Sequence, residues 1–268
     1  MTYRALGFVL AATIALAAPV RAETALSCIV KPRQTVELGA QVAGVLDEVL
    51  VGRGDRVERG QVVARLSRDV EQVNVALNEA RAASIAEIER RKLELANKRN
   101  VLARKRKLSQ RDFASKADLE TAEVEARVAQ QLLQEARDSR EVARIELERA
   151  KAMVELRILR SPVDGIVTER QLAPGEFVSE QKPVMTLTDV NPLHVEVYLP
   201  LESYGVVELG QQVPVSLQEP IGGDYLASVV VVDNVIDAAS GTFGVRLELP
   251  NPEGRIPAGL RCNVNFSS

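Results

Sequence analysis

Gly52-Arg53-Gly54 directly follows an apolar run, and a Gly-x-Gly so placed is how a phosphate-cradling loop can begin. A dinucleotide loop also needs a third glycine three residues on, with a helix opening behind it. Here residue 57 is valine and no helical pattern starts there, so the phosphate reading fails. The only histidine, His194, lies in an alternating strand pattern, where a lone imidazole is more often structural than catalytic or metal-bound. No Cys and His cluster has zinc-site spacing, and three methionines, one the initiator, make no thioether metal site. Carboxylate pairs abound between residues 69 and 157, but on a solvated helix they are the default composition. The residue types therefore point away from an enzyme, a cofactor or a resident metal, and leave binding as the chemistry to explain.

One set of residues, picked out by the family resemblance that the repeat and its insert carry, has a chemistry that suits binding. Arg104, Leu108 and Ser115 flank a break in a long helical stretch. Leu108 offers an apolar knob, Arg104 a guanidinium for carbonyls or carboxylates, and Ser115 a hydroxyl that caps a helix or bonds across a contact. The competing reading gives Ser115 to capping alone and Arg104 to solvent.

The elements that must carry this set emerge from composition. Arg4, the apolar stretch from Ala5 to Ala18 and the small residues around Val20-Arg21-Ala22 read as a secretory signal, cleaved after Ala22. That stretch falls short of the ~20 apolar residues a membrane span takes. Lipidation at Cys28 is not expected, because Ala25-Leu26-Ser27 is a poor lipobox and lies apart from the apolar stretch. A net charge of −3 offers no cationic excess for nucleic acid, and 3% aromatics without tryptophan offers no base-stacking platform. Cys28 and Cys262 are expected to pair rather than remain free thiols, provided both ends of the chain meet in space.

From Asp69 to Arg157 there is no glycine or proline, whereas β-rich sequence lies on either side. Ser109 to Ser115 interrupts this helical insert, and Ser115 followed by Asp118 marks a new helix start. Beyond it Leu119, Ala122, Ala126, Ala129, Leu133, Ala136, Ala143, Leu147, Ala150 and Val154 fall on one seam, with Arg140 the exception. In the first arm Val70, Val73, Leu77 and Ala80 start a seam that Ile85, Ile88, Leu95 and Leu102 continue with a shift. The expectation is an antiparallel coiled-coil hairpin of two arms, each on the order of 60 Å long at ~1.5 Å per residue.

The flanking β segments repeat each other. With Gly44 set against Gly165, a constant offset pairs Val45 with Ile166, Val51 with Leu172, Gly54 with Gly175, Asp55 with Glu176, Val57 with Val178, Val63 with Val184 and Leu66 with Leu187. Each copy reads as strand, tight turn and strand, with Gly44, Gly54, Gly60, Gly165 and Gly175 as structural turn glycines. Gly54 and Gly175 are expected at positive φ. Two such half-motifs would pack face to face as one small sandwich.

Each half resembles half of a biotinyl/lipoyl domain. Carrier domains of that kind join their halves at a turn bearing the modified lysine, and here residues 67 to 164 occupy that junction. A lipoyl fold split by a helical hairpin resembles the periplasmic adaptor subunits (HlyD-type membrane fusion proteins) of tripartite efflux pumps, of RND type. The phrases Val36-Glu37-Leu38-Gly39-Ala40-Gln41-Val42-Ala43-Gly44-Val45 and Leu159-Arg160-Ser161-Pro162-Val163-Asp164-Gly165-Ile166-Val167 carry the resemblance. So do Leu209-Gly210-Gln211-Gln212-Val213 and Pro257-Ala258-Gly259-Leu260 in the C-terminal region, where strands near 193–199, 213–215, 229–232, 245–249 and 260–266 suggest a small β-barrel and 202–207 a short helix.

The resemblance implies an elongated α+β chain. After the signal, residues 23–38 would join the β-barrel, 39–67 form the first lipoyl-like half, 68–158 the hairpin with its tip at 108–116, 159–189 the second half and 190–268 the barrel. No membrane-proximal domain is expected, and with both ends near the barrel a Cys28–Cys262 bond gains support. In the family, Arg-x3-Leu-x6-Ser at the tip docks onto a TolC-type outer-membrane channel, and Arg104, Leu108 and Ser115 have that spacing. The implied partners are that channel, an inner-membrane efflux transporter (RND rather than ABC) and further copies in a hexameric ring; the implied location is the periplasm. The alternatives are a biotin or lipoate carrier and a coiled-coil scaffold unrelated to transport.

Overall fold

The computed structural model describes residues 26–111, 113–179 and 181–266; the expected signal segment and its cleavage site lie outside them. In chain order the strands are β1 (Leu26–Lys31), β2 (Gln34–Leu38), β3 (Gly44–Val49), β4 (Arg56–Val57) and β5 (Val62–Leu66). Helices α1 (Asp69–Ala83), α2 (Ala86–Ser109) and α3 (Lys116–Glu155) follow. Then come β6 (Ile158–Arg160), β7 (Gly165–Arg170), β8 (Phe177–Val178), β9 (Met185–Asp189) and β10 (Leu193–Pro200). The chain finishes with β11 (Gln212–Leu217), β12 (Asp224–Asp237), β13 (Thr242–Leu249) and β14 (Arg261–Val264). Two compact units result: Gln34–Asp189, and the residues up to Arg33 together with those from Val190.

In the first unit, two four-stranded sheets, β2-β9-β7-β4 and β6-β5-β3-β8, enclose a core of aliphatic side chains. The repeat seen in the sequence is real in space, but the halves do not form one sheet each. Each copy sends its two-residue strand into the other copy's sheet, β4 onto β7 and β8 onto β3. The glycine turns make the crossing possible. Gly54 (φ +94°) donates to the Val167 carbonyl at 2.8 Å, and Gly175 (φ +88°), its equivalent, donates to Leu46 at 2.7 Å. The return bonds match, Val167 N–H to Asp55 and Leu46 N–H to Glu176. A side chain with a Cβ resists that φ, so the repeated glycines serve backbone geometry. Repeat-related Val63 and Val184, and Leu66 and Leu187, are all fully buried, each contributing about 1.5–3 kcal/mol of transfer free energy.

Two expectations are corrected in the sandwich. Residues 34–38 belong here rather than to the barrel, since β2 pairs with β9 from Gln34↔Asp189 to Leu38↔Met185. Gly44 and Gly165 are not turn residues but open β3 and β7. At Gly165 the constraint is space, because a Cβ there would meet the Thr188 carbonyl oxygen.

The first arm of the hairpin is two helices, not one. It breaks at Ser84 and Ile85 without a glycine or proline. Arg140, the exception on the α3 seam, explains how the break is tolerated: its Nε donates to the Ala82 carbonyl at 3.1 Å, supplying a partner to the end of α1. The α3 seam is otherwise as the periodicity predicts, with Ala122, Ala126, Ala129, Leu133 and Ala150 buried. The α1 seam is not. Val70 and Val73 are 77% and 71% exposed and Leu77 is half exposed, while Asn78 and Ala82 are buried. Polar chemistry makes that phase tolerable. Asn78 satisfies its amide on Asn74 O at 2.8 Å, and Glu71 pairs with Arg157 at 2.6 Å. Replacing Arg140 by methionine, which keeps much of the stem, should cost about 1.5–3 kcal/mol. Urea unfolding with limited proteolysis near Ser84 measures this, and an unchanged midpoint and cleavage rate would remove Arg140 from the account.

The insertion is accommodated because its two ends are sheet neighbours. β5 and β6 pair antiparallel, Val62↔Arg160 through Arg65↔Ile158, so the hairpin replaces what would be an ordinary hairpin loop. Leu66 N–H bonds to the Arg157 carbonyl, and Arg157 returns a bond to Ser67, both at 2.8 Å. Each arm is thus fixed to a strand at its root.

The second unit is a closed antiparallel barrel, β1-β10-β13-β12-β11-β14. Its strands alternate, with Leu193, Val195, Val197 and Leu199 turned into a core shared with Val245, Leu247 and Leu249. The short helix expected at 202–207 is only a 3₁₀ turn, Leu201–Ser203. Cys28 and Cys262 face each other across β1 and β14 and are disulfide-bonded.

Candidate docking site at the hairpin tip

Helix α2 ends and α3 begins around a short turn. The Leu108 carbonyl accepts the Arg111 N–H at 3.1 Å and the Phe113 N–H at 3.0 Å, which folds the chain back immediately after α2. Ser115 then caps α3, accepting the Asp118 N–H at 3.1 Å and donating its hydroxyl to the Asp118 carboxylate at 2.7 Å. Hydrogen bonding from Ser115 first, then Lys105, holds the Asp118 carboxyl below its ordinary pKa. The cap therefore persists as long as that carboxylate is charged and weakens as pH falls through its depressed pKa.

The two arms are laced together near their ends. Lys105 Nζ lies 3.2 Å from Asp118, Arg106 is 2.8 Å from Glu123, and Lys98 is 3.1 Å from Glu125. Below these pairs Ile88 and Leu95 pack with Ala129 and Leu133. The rotation of α2 about its axis is fixed by both sets of contacts. That rotation puts Arg104 and Leu108, one turn apart, on an exposed face.

The sequence-derived residues thus fall into two groups. Arg104 and Leu108 are accessible, with Leu108 46% exposed. Ser115 spends its hydrogen on Asp118 and accepts from the α3 backbone, so its first role is positional. Sequence reasoning missed Phe113, which is 79% exposed. The signal was present: one of only five phenylalanines stands in the helix break. Away from the tip, His194 Nε2 lies 3.9 Å from Glu248, and burial, then Arg246, lowers its pKa. Among the described residues no group of three His, Cys, Asp or Glu could hold a metal ion, and no helix is long and apolar enough to cross a membrane.

Comparison with known proteins agrees with this architecture. Residues 34–189 match the CzcB-like barrel-sandwich hybrid domain, and residues 192–268 match the CusB-like β-barrel domain. The macrolide export protein MacA of Escherichia coli O157:H7 is 26% identical over 244 residues, 86% of this chain and 64% of that protein. The cobalt-zinc-cadmium resistance protein CzcB of Cupriavidus metallidurans is 24% identical over 233 residues, 87% of this chain and 42% of that protein. The chain spans less than two thirds of the length of either relative. Among solved structures, MacA from Actinobacillus actinomycetemcomitans superposes with a TM-score of 0.76 at 20% identity, covering 91% of this chain and 78% of that one. The membrane fusion protein Spr0693 from Streptococcus pneumoniae gives 0.62 at 18% identity, covering 91% and 99%. With its split sandwich, inserted hairpin and small barrel, the chain belongs to the family of the CzcB-like barrel-sandwich hybrid domain, here joined to a CusB-like β-barrel domain.

Proposed function

We propose that the protein is a periplasmic adaptor of a tripartite efflux transporter, coupling an inner-membrane pump to a TolC-type outer-membrane channel for export of small molecules. The observation that carries this reading is the hairpin itself. It is rooted on neighbouring strands of a barrel-sandwich hybrid domain and presents Arg104 and Leu108 at its far end. Export to an oxidising compartment is supported by the buried Cys28–Cys262 bond. An RND-type pump is the preferred inner-membrane partner, in keeping with the RND designation of the matching β-barrel model. Self-association, proposed as a hexameric ring on the family resemblance, is supported in kind though not in number by the outward row Val70, Val73 and Leu77, an apolar stripe with coiled-coil spacing that α3 leaves uncovered.

The carrier alternative has little to stand on. The sandwich segments 34–67 and 159–189 contain one lysine, Lys182, and it lies beyond β8 rather than at the junction of the halves. The scaffold alternative predicts that the tip tolerates charge reversal. Under the adaptor reading, Arg104→Asp or Leu108→Asp abolishes export and cross-linking to the channel, with circular dichroism and melting unchanged. Wild-type drug susceptibility together with wild-type cross-linking in both variants would refute it.

A further inference from the structure

Between residues 98 and 116 the sequence carries eight Lys or Arg and a single acid, Asp112, in a chain whose net charge is −3. The structure divides these cations by role. Lys98, Lys105 and Arg106 are spent on carboxylates of α3. Arg104, Lys107, Arg111 and Lys116 form no ion pair among the described residues, and all four are exposed. Arg104, Lys107 and Arg111 fall at i, i+3 and i+7, bracketing Leu108. The turn closed on the Leu108 carbonyl then brings Phe113, the most exposed aromatic of the tip, next in line.

An exposed aromatic side chain flanked along the chain by exposed guanidinium and ammonium groups has the composition of a protein-binding hot spot, in which one ring fills a pocket and charge sets orientation. Close like charges repel one another, so an unpaired cluster is a standing cost unless a partner neutralises it. A lipid bilayer is a poorer match. One exposed ring and one half-exposed leucine bury too little apolar surface to hold a protein on a membrane, when even a myristoyl chain binds marginally.

We infer that the tip is a cationic collar around Phe113, recognising an acidic protein surface with an apolar pocket, and that Lys107, Arg111 and Lys116 together with Phe113 determine affinity beyond Arg104 and Leu108. This rests on the adaptor reading and specifies the partner's chemistry: the receiving end of the channel carries carboxylates around an apolar recess. Association is then steered by charge and screened by salt over about 10 Å at 0.1 M.

The test uses the full chain and the host's purified TolC-type channel in detergent, with binding measured at 50 and 300 mM NaCl. Vesicles containing phosphatidylglycerol serve as the lipid probe. The wild-type Kd should weaken at least tenfold between the two salts. Lys107→Glu/Arg111→Glu/Lys116→Glu should lose at least fiftyfold at low salt, and Phe113→Ala about tenfold at either salt, with Phe113→Leu recovering part. Matching melting curves certify that the variants fold. Channel binding that ignores both salt and the triple reversal overturns the collar and leaves the adaptor reading intact. Capture by the vesicles but not the channel overturns it in favour of a membrane contact. A wild-type chain that binds neither probe at 50 mM overturns the collar and also removes the docking step from the adaptor reading.

Discussion

Replacing Cys28 and Cys262 together by alanine is expected to lower the stability of the β-barrel by about 2–5 kcal/mol. The bond joins β1 to β14 across 234 residues of sequence, so it closes a very long loop and restricts the unfolded chain strongly. β1 also fills the position between β10 and β14, and its loss would open the closed barrel along two ladders. Because both cysteines are buried in the barrel core, the alanine pair also removes packed sulfur. Reducing the wild-type protein separates the two effects, since reduction keeps the atoms and removes only the link. Thermal melts should therefore fall in the order oxidised, reduced, double alanine. Coincident melts for the oxidised and reduced wild type would show that the link contributes nothing.

The second large effect is expected at Gly165. A Cβ there would overlap the Thr188 carbonyl oxygen and stand 2.9 Å from its carbon, both backbone atoms of the paired strand β9. Neither can yield without separating β7 from β9 in the middle of the sheet. Gly165→Ala should accordingly cost about 1–3 kcal/mol, at the upper end because no side chain can move aside. Its repeat equivalent provides the control. At Gly44 the nearest atom is Nη1 of Arg157 at 3.1 Å, a side-chain atom hydrogen-bonded to Ser67 that has only to give by a few tenths of an ångström, not a backbone atom of a paired strand. Gly44→Ala should stay within about 1 kcal/mol of wild type, since alanine also restricts the unfolded backbone. Urea midpoints of the two variants decide the matter. Equal losses would mean that the two halves are under the same steric constraint, contrary to the geometry.

These two sites mark how far the sequence can be read. The offset between Gly44 and Gly165 disclosed the repeat, and Gly54 and Gly175 take the positive φ expected of them. But aligned glycines look identical in sequence, and only the position of Thr188 tells a crowded one from an open one. The exchange of β4 and β8 between sheets was hidden for a related reason. Strand pairing is decided by hydrogen bonds between distant residues, such as Gly54 to Val167, which leave no periodic trace.

The hairpin teaches the same lesson with helices. On α3, apolar residues at 3-4 spacing predicted the buried seam residue by residue, because little but burial acts on that face. On α1 the same rule named Val70, Val73 and Leu77, and they face outward. Hydrophobic periodicity finds the most apolar stripe. It cannot see that Asn78 satisfies its own amide, that Glu71 has Arg157 as a partner, or that Arg140 can stand in for a missing helical bond.

At the tip, the family resemblance made Arg104, Leu108 and Ser115 candidates, while the fold separated an exposed pair from a capping serine and added Phe113. By itself, then, the sequence determined the split sandwich and the inserted hairpin, because these depend on composition, local turn chemistry and repetition, while the meeting of Cys28 and Cys262 waited on the pairing of β1 with β14. Tertiary structure alone decided which face of α1 is buried, which cations are already neutralised and which glycine has no room to spare. Those outcomes depend on partners brought together from distant parts of the chain, and packing and electrostatic energies act on distance in space rather than along the sequence.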